Sequence, residues 1–496
     1  MKYQRISWQI AISYLNLALT LLLGPLLIAS LTRGLSISEY GVYAIFSATI
    51  ATLVVILDFG LSQYIVTKLS GINSKKRLNT FYSLLTFLFF SILLLFLLIT
   101  LTPIDSLFLK ILNLSQYHSE FTLILLMIVI GVQIRVINSY LNSKKQIEYQ
   151  NFITFIDRSL WMIIVIIYFF IVGQLTLYNV ILIWLIGKLV ALSIFLIGAW
   201  KEIFTFISKR KFSNIYEGLK FGVPLIPSLV GIWIILIGDR YILTFLEGTQ
   251  SVGFYAFAFS IASIILTLGV VISEVLFPYI SERFHKKGNF MILFNASIKY
   301  SMMIILPAAA GIFAMKEEII TMVSGPAYLN SAPLIIWLIP YVLLAFFTHI
   351  FYQNMLLRSR TILLGTIFAM GALINIPLNL FLIPKFSLVG AALATVLTYS
   401  FMFLILYLYS RKQLFLDYSF IKIERILIST IIMAFLVYIL NPTTIITKLL
   451  VISLGAIIYG SLVLLFKIFS KKEIVLIKSL PKKVFTRIYD YYNAAK

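Results

Sequence analysis

The chain has 496 residues, 61% of them hydrophobic and 12% charged, with a mean hydropathy of +1.03; this is more apolar surface than a water-soluble domain can bury. Its 40 Lys and Arg against 18 Asp and Glu leave a formal net charge of +22. There is no cysteine, which excludes a disulfide framework and a thiolate metal site, and His118, His285 and His349 are too scattered to suggest a ligand cluster.

A helix needs roughly 20 apolar residues to cross about 30 Å of hydrocarbon. In chain order the hydropathy predicts spans at 8–30, 41–67, 79–101, 118–140, 152–172 and 178–200. A second series follows at 217–238, 251–277, 291–314, 333–354, 362–383, 389–410, 426–441 and 449–466, which makes about fourteen transmembrane helices in an all-α polytopic membrane protein. The thirteenth is the shortest. The first span is too long for a signal sequence, lacks a small-residue cleavage site and is followed by many more, so it reads as a retained helix.

Basic residues collect on alternate connections. One side holds 31 of the 40, beginning with Lys2, Arg5, Lys68, Lys75, Lys76 and Arg77 and ending with eight in the C-terminal tail. The other holds six: Arg33, Lys110, Arg240, Lys316, Lys385 and Lys448. Basic loops resist translocation, so the rich side is expected in the cytoplasm together with both termini. The positive charge is then topological and calls for no nucleic acid. The tail at 471–496 reads either as an interfacial helix on the anionic inner leaflet or as a solvated basic tail.

The outer connections around 102–117 and 315–332 are too short for an independent catalytic unit. Neither a phosphate-cradling Gly-rich loop with Lys, nor metal-ligand spacing, nor a nucleophile elbow is present, so the chain reads as a transporter and not an enzyme, with no cofactor.

Gly41-Val42-Tyr43-Ala44 opens the second span and Gly253-Phe254-Tyr255-Ala256 the eighth, 212 residues later. Arg33 and Arg240 are 207 apart, and the connections at 171–180 and 382–391 about 211 apart. This offset predicts two parallel six-helix lobes, 1–210 and 211–412, with a central cavity between them as in alternating-access transporters. Helices 13 and 14 (413–470) and the tail (471–496) follow.

Several strings carry a family resemblance: Leu31-Thr32-Arg33-Gly34-Leu35-Ser36 with Glu39-Tyr40-Gly41, Leu57-Asp58-Phe59-Gly60-Leu61-Ser62, and Phe221-Gly222-Val223-Pro224-Leu225-Ile226-Pro227-Ser228. Asp239-Arg240-Tyr241, Leu373-Ile374-Asn375, Ile383-Pro384-Lys385 and Gly390-Ala391-Ala392-Leu393-Ala394-Thr395 continue it. In order and spacing these resemble bacterial oligosaccharide flippases, the O-antigen and capsule-unit translocases of the multidrug, oligosaccharidyl-lipid and polysaccharide exporter superfamily, over residues 6–410. The resemblance implies an inner-membrane flippase that moves a polyprenyl-pyrophosphate-linked oligosaccharide to the outer leaflet. Its partners would be membrane lipids, H+ or Na+ as a coupling ion, and the machinery that polymerises the glycan. A lipid-linked peptidoglycan-precursor flippase, a multidrug exporter of the same superfamily and, further off, a membrane-embedded glycan polymerase or ligase are the alternatives. The first usually has arginines in its first helix and the second an acid there; neither type of residue lies between Arg5 and Arg33.

Charges inside the spans are the candidate site. Lys188 lies about ten residues, or 15 Å, from either end of its helix, too deep to snorkel easily, and a cation at that depth costs about 2.5–3.5 kcal/mol. It reads either as facing a water-filled cavity or as a structural ion pair. Arg135 and Arg158 either hold a pyrophosphate, whose oxygens match a guanidinium fork, or pair with Asp157 and reach headgroups. Asp58 and Glu274 lie 17 and 21 residues beyond the matched glycines and are expected to face a shared cleft, where a carboxylate could exchange a proton as the cleft opens to each side. The other reading is hydrogen bonding to a helix end. Arg33 and Arg240, at the outer mouth, either pair with Glu39 or Asp239 and gate the exit, or anchor helix ends. Pro224 and Pro227, with Gly24 and Pro25 in the matching first span, should bend the helices that open each half.

Overall fold

The computed structural model describes residues 2–69, 74–209, 215–286, 288–411, 417–440, 442–469 and 473. Most of the tail at 471–496 lies outside the described residues. The helices, in chain order, are α1 (Lys2–Gly34), α2 (Ile37–Ile56), α3 (Leu61–Leu69), α4 (Ser74–Leu101), α5 (Ile104–Ile111), α6 (His118–Ser143) and α7 (Ile147–Phe155). There follow α8 (Trp161–Val172), α9 (Leu177–Gly198), α10 (Trp200–Lys209), α11 (Ile215–Gly222), α12 (Ile226–Glu247), α13 (Thr249–His285) and α14 (Met291–Ala314). The last are α15 (Lys316–Val323), α16 (Ala332–Leu357), α17 (Thr361–Phe386), α18 (Leu388–Ser410), α19 (Tyr418–Ile421), α20 (Ile423–Leu440) and α21 (Ile445–Leu465). Among the described residues there is no strand, and 13 helices are long and apolar enough to cross a membrane. The described apolar stretch of α1, Ala18–Gly34, is shorter.

Local chemistry sets the ends. Ser36 and Glu39 form a reciprocal cap at the start of α2: the Ser36 hydroxyl accepts the Glu39 N–H (3.2 Å) and the Glu39 carboxylate accepts the Ser36 N–H (3.0 Å). Gly173, at φ +78°, closes α8, and the Thr176 side chain caps α9. Thr444 caps α21 in the same way.

Two predicted spans are broken. The stretch 41–67 divides into α2 and α3, because Phe59 (φ +51°) and Gly60 (φ +70°) both take left-handed backbone that no helix accommodates. The stretch 217–238 divides at a 3₁₀ turn, Val223–Leu225, where Pro224 removes a backbone donor, and the membrane-length helix is α12.

The chain packs as two compact units. Unit 1 comprises Met1–Ser260, Val323–Tyr341 and Arg360–Ile405. Within it α6 is the central helix, 72% of its apolar window being buried, whereas the corresponding 17% for α4 marks a helix turned outward. Phe81 stacks on Tyr140 with ring centres 3.7 Å apart, and Phe195 meets Phe81 edge-on, which ties α4, α6 and α9 together. Further along, Gly231 lets α12 lie against the α17 backbone at Phe368 and Ala369. Asn375 donates to Thr398 at 3.0 Å, a polar link between α17 and α18.

Unit 2 comprises Ile261–Met322, Val342–Ser359 and Leu406–Lys496. Gly269 accommodates Ile305, so α13 and α14 approach closely, and Ser301 donates to the Gly269 carbonyl at 2.7 Å. Met315, Met433, Val437 and Val451 make an apolar cluster that holds α20 and α21. Lys299, almost wholly buried on α14, pairs with Glu473 at 2.9 Å while its ammonium sits 4.6 Å from the Phe420 ring.

The matched glycines meet in unit 1. A Cβ on Gly41 would run into the carbonyl of Thr249, and a Cβ on Gly253 into the carbonyl of Ile37; Ile37 and Thr249 are themselves 212 residues apart. Residue i meets j and the equivalent of j meets the equivalent of i, the reciprocity of a local two-fold relation.

Candidate functional site

A hollow of about 530 Å³ opens inside unit 1, within the range of about 300–1,000 Å³ common for small-molecule sites. Among the described residues, it is lined by ones between Thr20 and Val66 and between Gly131 and Lys188. This hollow therefore lies within the first six-span segment, not between the two predicted lobes.

One wall is α6. Arg135, Asn138 or Ser139, and Asn142 recur at intervals of three to four residues, so they form one stripe along about 10 Å of helix. A second wall joins α7 to α8 through a single wide π turn, Ile156–Leu160, which carries Asp157 and Arg158. Trp161 follows, stacked on Trp184 of α9 with ring centres 4.7 Å apart. One turn beyond Trp184, Lys188 places its ammonium 2.8 Å from Asp157 and 5.9 Å from the Trp184 ring. The third wall comes from α2 and α3, through Ile50, Ala51, Val54, Val55, Ser62, Gln63 and Val66.

Lys188 has both an ion partner and a face on the hollow. It is ion-paired, with side-chain exposures of 9% for Lys188 and 13% for Asp157, and it lines the hollow. Neither partner is sealed off, so each keeps an edge for a ligand. Arg158 is exposed within the hollow.

Arg135 faces the hollow with about a third of its side chain open, while its Nε lies 2.5 Å from the Asp58 carboxylate. Asp58 itself is 1% exposed and does not line the hollow. Its other oxygen accepts the Gly60 N–H at 2.6 Å. Left-handed backbone at Phe59 costs about 1–3 kcal/mol, and hydrogen bonds to a charged group supply about 1.5–3 kcal/mol each. The carboxylate thus holds the break between α2 and α3.

The other candidates stand elsewhere. Arg33 donates from Nε to the Val323 carbonyl at 2.9 Å. Arg240 reaches the Ala44 carbonyl at 3.2 Å and stacks over Phe259, joining α12 to α2. Asp239 is buried and takes the Tyr255 hydroxyl (2.5 Å) and the Arg240 N–H (2.8 Å). Arg33 and Arg240 therefore do not line this hollow, because backbone carbonyls engage their guanidinium groups. Glu274 belongs to unit 2, exposed on α13, and lines neither this hollow nor the one beside the α13–α14 connection. Its position lies inside an unbroken helix, whereas Asp58 sits in a break, so the near-equivalence in spacing does not extend to local structure.

Gln63, Asn138, Asn142 and Gln150, amides absent from the sequence-predicted site, also border the hollow. For α6 a signal existed: an i, i+3, i+7 stripe of polar residues containing Arg135. Uncharged amides in an apolar helix cost less than ions, so hydropathy does not set them apart.

Comparison with known proteins places this geometry. The solved structure of "Lipid II flippase MurJ, inward closed conformation" superposes with a TM-score of 0.73 at 18% identity, covering 93% of this chain and 98% of that one. An inward-facing MATE-family multidrug resistance transporter of the MOP superfamily gives 0.64 at 17% identity, over 80% and 97%. The chain thus has the fold of these two transporters, and its 13 described membrane-length apolar helices mark a multi-pass membrane protein. It belongs to the polysaccharide biosynthesis protein family, whose pattern matches residues 9–284. Among curated relatives it is 23% identical over 277 residues to the "Probable low-salt glycan biosynthesis flippase Agl15" of Haloferax volcanii, 54% of this chain and 59% of that protein. It is 28% identical over 235 residues to an uncharacterized membrane protein of Methanocaldococcus jannaschii, 46% of each. The chain spans about half the length of these relatives.

Proposed function

We propose that this protein is a flippase for a polyprenyl-pyrophosphate-linked oligosaccharide, moving it from the cytoplasmic to the outer leaflet of the inner membrane by alternating access. The observation that carries this reading is the hollow in unit 1, which Arg158, Arg135 and Lys188 all line. Arg135 and Lys188 already answer carboxylates, whereas Arg158 is exposed on the hollow, and a cation within apolar spans is costly unless something anionic uses it. A pyrophosphate takes guanidinium forks in a charge-assisted geometry that strengthens away from water. The amides Asn138, Asn142, Gln63 and Gln150 offer donors and acceptors to sugar hydroxyls, and the tryptophan pair offers an apolar face. The polyprenyl tail stays in lipid, and no covalent step is needed. Coupling to H+ or Na+ falls to the carboxylates Asp58 and Asp157, each already paired with a cation, and to Glu274; neutralising them should flatten the response of transport to pH and ion gradients.

The test is transfer of labelled polyprenyl-pyrophosphate oligosaccharide between leaflets of reconstituted liposomes. Arg158→Ala is expected to slow transfer about tenfold, the loss of one charge-assisted bond. Equal rates with and without protein would overturn the reading. Chain growth by the purified protein would replace it with a polymerase, and preference for a lipid-linked peptidoglycan precursor would reassign the cargo.

A further inference from the structure

Arg135 links the hollow to the break between α2 and α3: it lines the one and pairs with Asp58 in the other. α3 is a thin wall with two faces. Ser62, Gln63 and Val66 line the hollow, while Leu61 and Tyr64 face α11, where Gly218 lies against both side chains and Tyr64 meets Phe221 with ring centres 5.9 Å apart. The Tyr64 hydroxyl donates to Glu217 at 3.3 Å.

At the top of this wall two backbones touch. A Cβ on Gly60 would lie 2.7 Å from the Gly222 Cα, and a Cβ on Gly222 would overlap the Phe59 carbonyl. Both partners are helix discontinuities, one at residues 57–60 and the other at the 3₁₀ turn after Gly222. Such breaks are where helices change direction at small cost. Asp58 binds the Gly60 N–H with one oxygen and Arg135 with the other, and Arg135 faces the hollow.

We propose that Asp58 is a positioning residue that couples occupancy of the hollow to the Gly60–Gly222 seam. An anion on Arg135 competes with Asp58 for the guanidinium. Losing that partner, Asp58 holds the left-handed turn less firmly, and the α2–α3 wall loosens from α11. When the anion moves off, Arg135 returns to Asp58 and the seam closes. This rests on the proposal that a pyrophosphate-bearing lipid occupies the hollow, and it adds the route by which occupancy reaches the wall.

The absence of cysteine makes single-cysteine reporters unambiguous. Ala51→Cys, exposed on the hollow, reports occupancy; Leu61→Cys, fully buried against α11, reports the seam. In proteoliposomes, polyprenyl-pyrophosphate oligosaccharide should slow thiol labelling at position 51 and raise it about tenfold at position 61, a shift set by differential binding to the two states. With Asp58→Asn added, protection at 51 should persist while labelling at 61 becomes high and indifferent to substrate, and Asp58→Glu should restore the response. A substrate response at 61 unchanged by Asp58→Asn overturns the coupling. Absence of protection at 51 in the otherwise unaltered chain overturns the flippase reading instead. If Asp58→Asn fails to fold, Arg135→Lys, which keeps a cation on α6 but removes the Nε donor to Asp58, should likewise leave labelling at 61 high and indifferent to substrate; a normal response there refutes the proposal.

Discussion

At the scale of single residues, the Lys188–Asp157 pair shows why ions survive in an apolar interior. Each partner is nearly buried and each meets the other's desolvation with an opposite charge. Removing one leaves the other stranded, at a cost of about 3–5 kcal/mol. Lys188→Ala should therefore lower the thermal unfolding midpoint in detergent by several degrees, and adding Asp157→Asn should recover most of that loss. Recovery of stability without recovery of transport would separate the structural role of the pair from its contact with substrate. A double variant no more stable than Lys188→Ala would deny that the pair is coupled. The cost of burial made Lys188, Arg135, Asp157 and Arg158 visible in the sequence. Which of them pair was not visible, because Lys188 and Asp157, and Arg135 and Asp58, are 31 and 77 positions apart, separations that no helical spacing rule connects.

At the scale of elements, the glycines at the starts of α2 and α13 set how close those helices lie. Side chains at Gly41 or Gly253 would collide with the opposite backbone, which cannot yield as a flexible side chain does. Gly41→Val should destabilise the fold by about 1–3 kcal/mol or more, the usual cost of overpacking, seen as a lower unfolding midpoint and a smaller monodisperse yield. Gly311→Ala, with nothing within 4 Å of the added carbon, is the control and should be neutral or better. The repeat in the sequence pointed to these glycines as equivalent. It did not say that they touch each other. The breaks at 57–60 and 223–225 were only half legible: prolines announced the second, whereas the first depends on a non-glycine residue, Phe59, entering left-handed backbone.

At the scale of the whole molecule, hydropathy and charge predict a sidedness that can be read directly. Lys145 belongs to a basic connection and Lys110 to the opposite side, and both are exposed. In intact cells an impermeant thiol reagent should label Lys110→Cys and spare Lys145→Cys until the membrane is permeabilised. The reverse pattern would invert the topology and with it the direction proposed for transport. The fold also opens a hollow inside the first six-span segment, which the hydropathy of those spans did not announce. Hydropathy marks which segments cross lipid, but not which polar faces converge.

What the sequence determined by itself was the class: helices long enough to span a bilayer, the charge asymmetry of their connections and the presence of costly ions within them. Each is a local property, fixed by about 20 consecutive residues or by one residue against its immediate surroundings. Only the tertiary structure decided that Arg135 leans on Asp58, that Lys188 leans on Asp157, and that Gly60 meets Gly222. Those are relations between distant parts of the chain, chosen by how helices pack and where they break, and packing is a property of surfaces brought together, not of any one stretch of sequence.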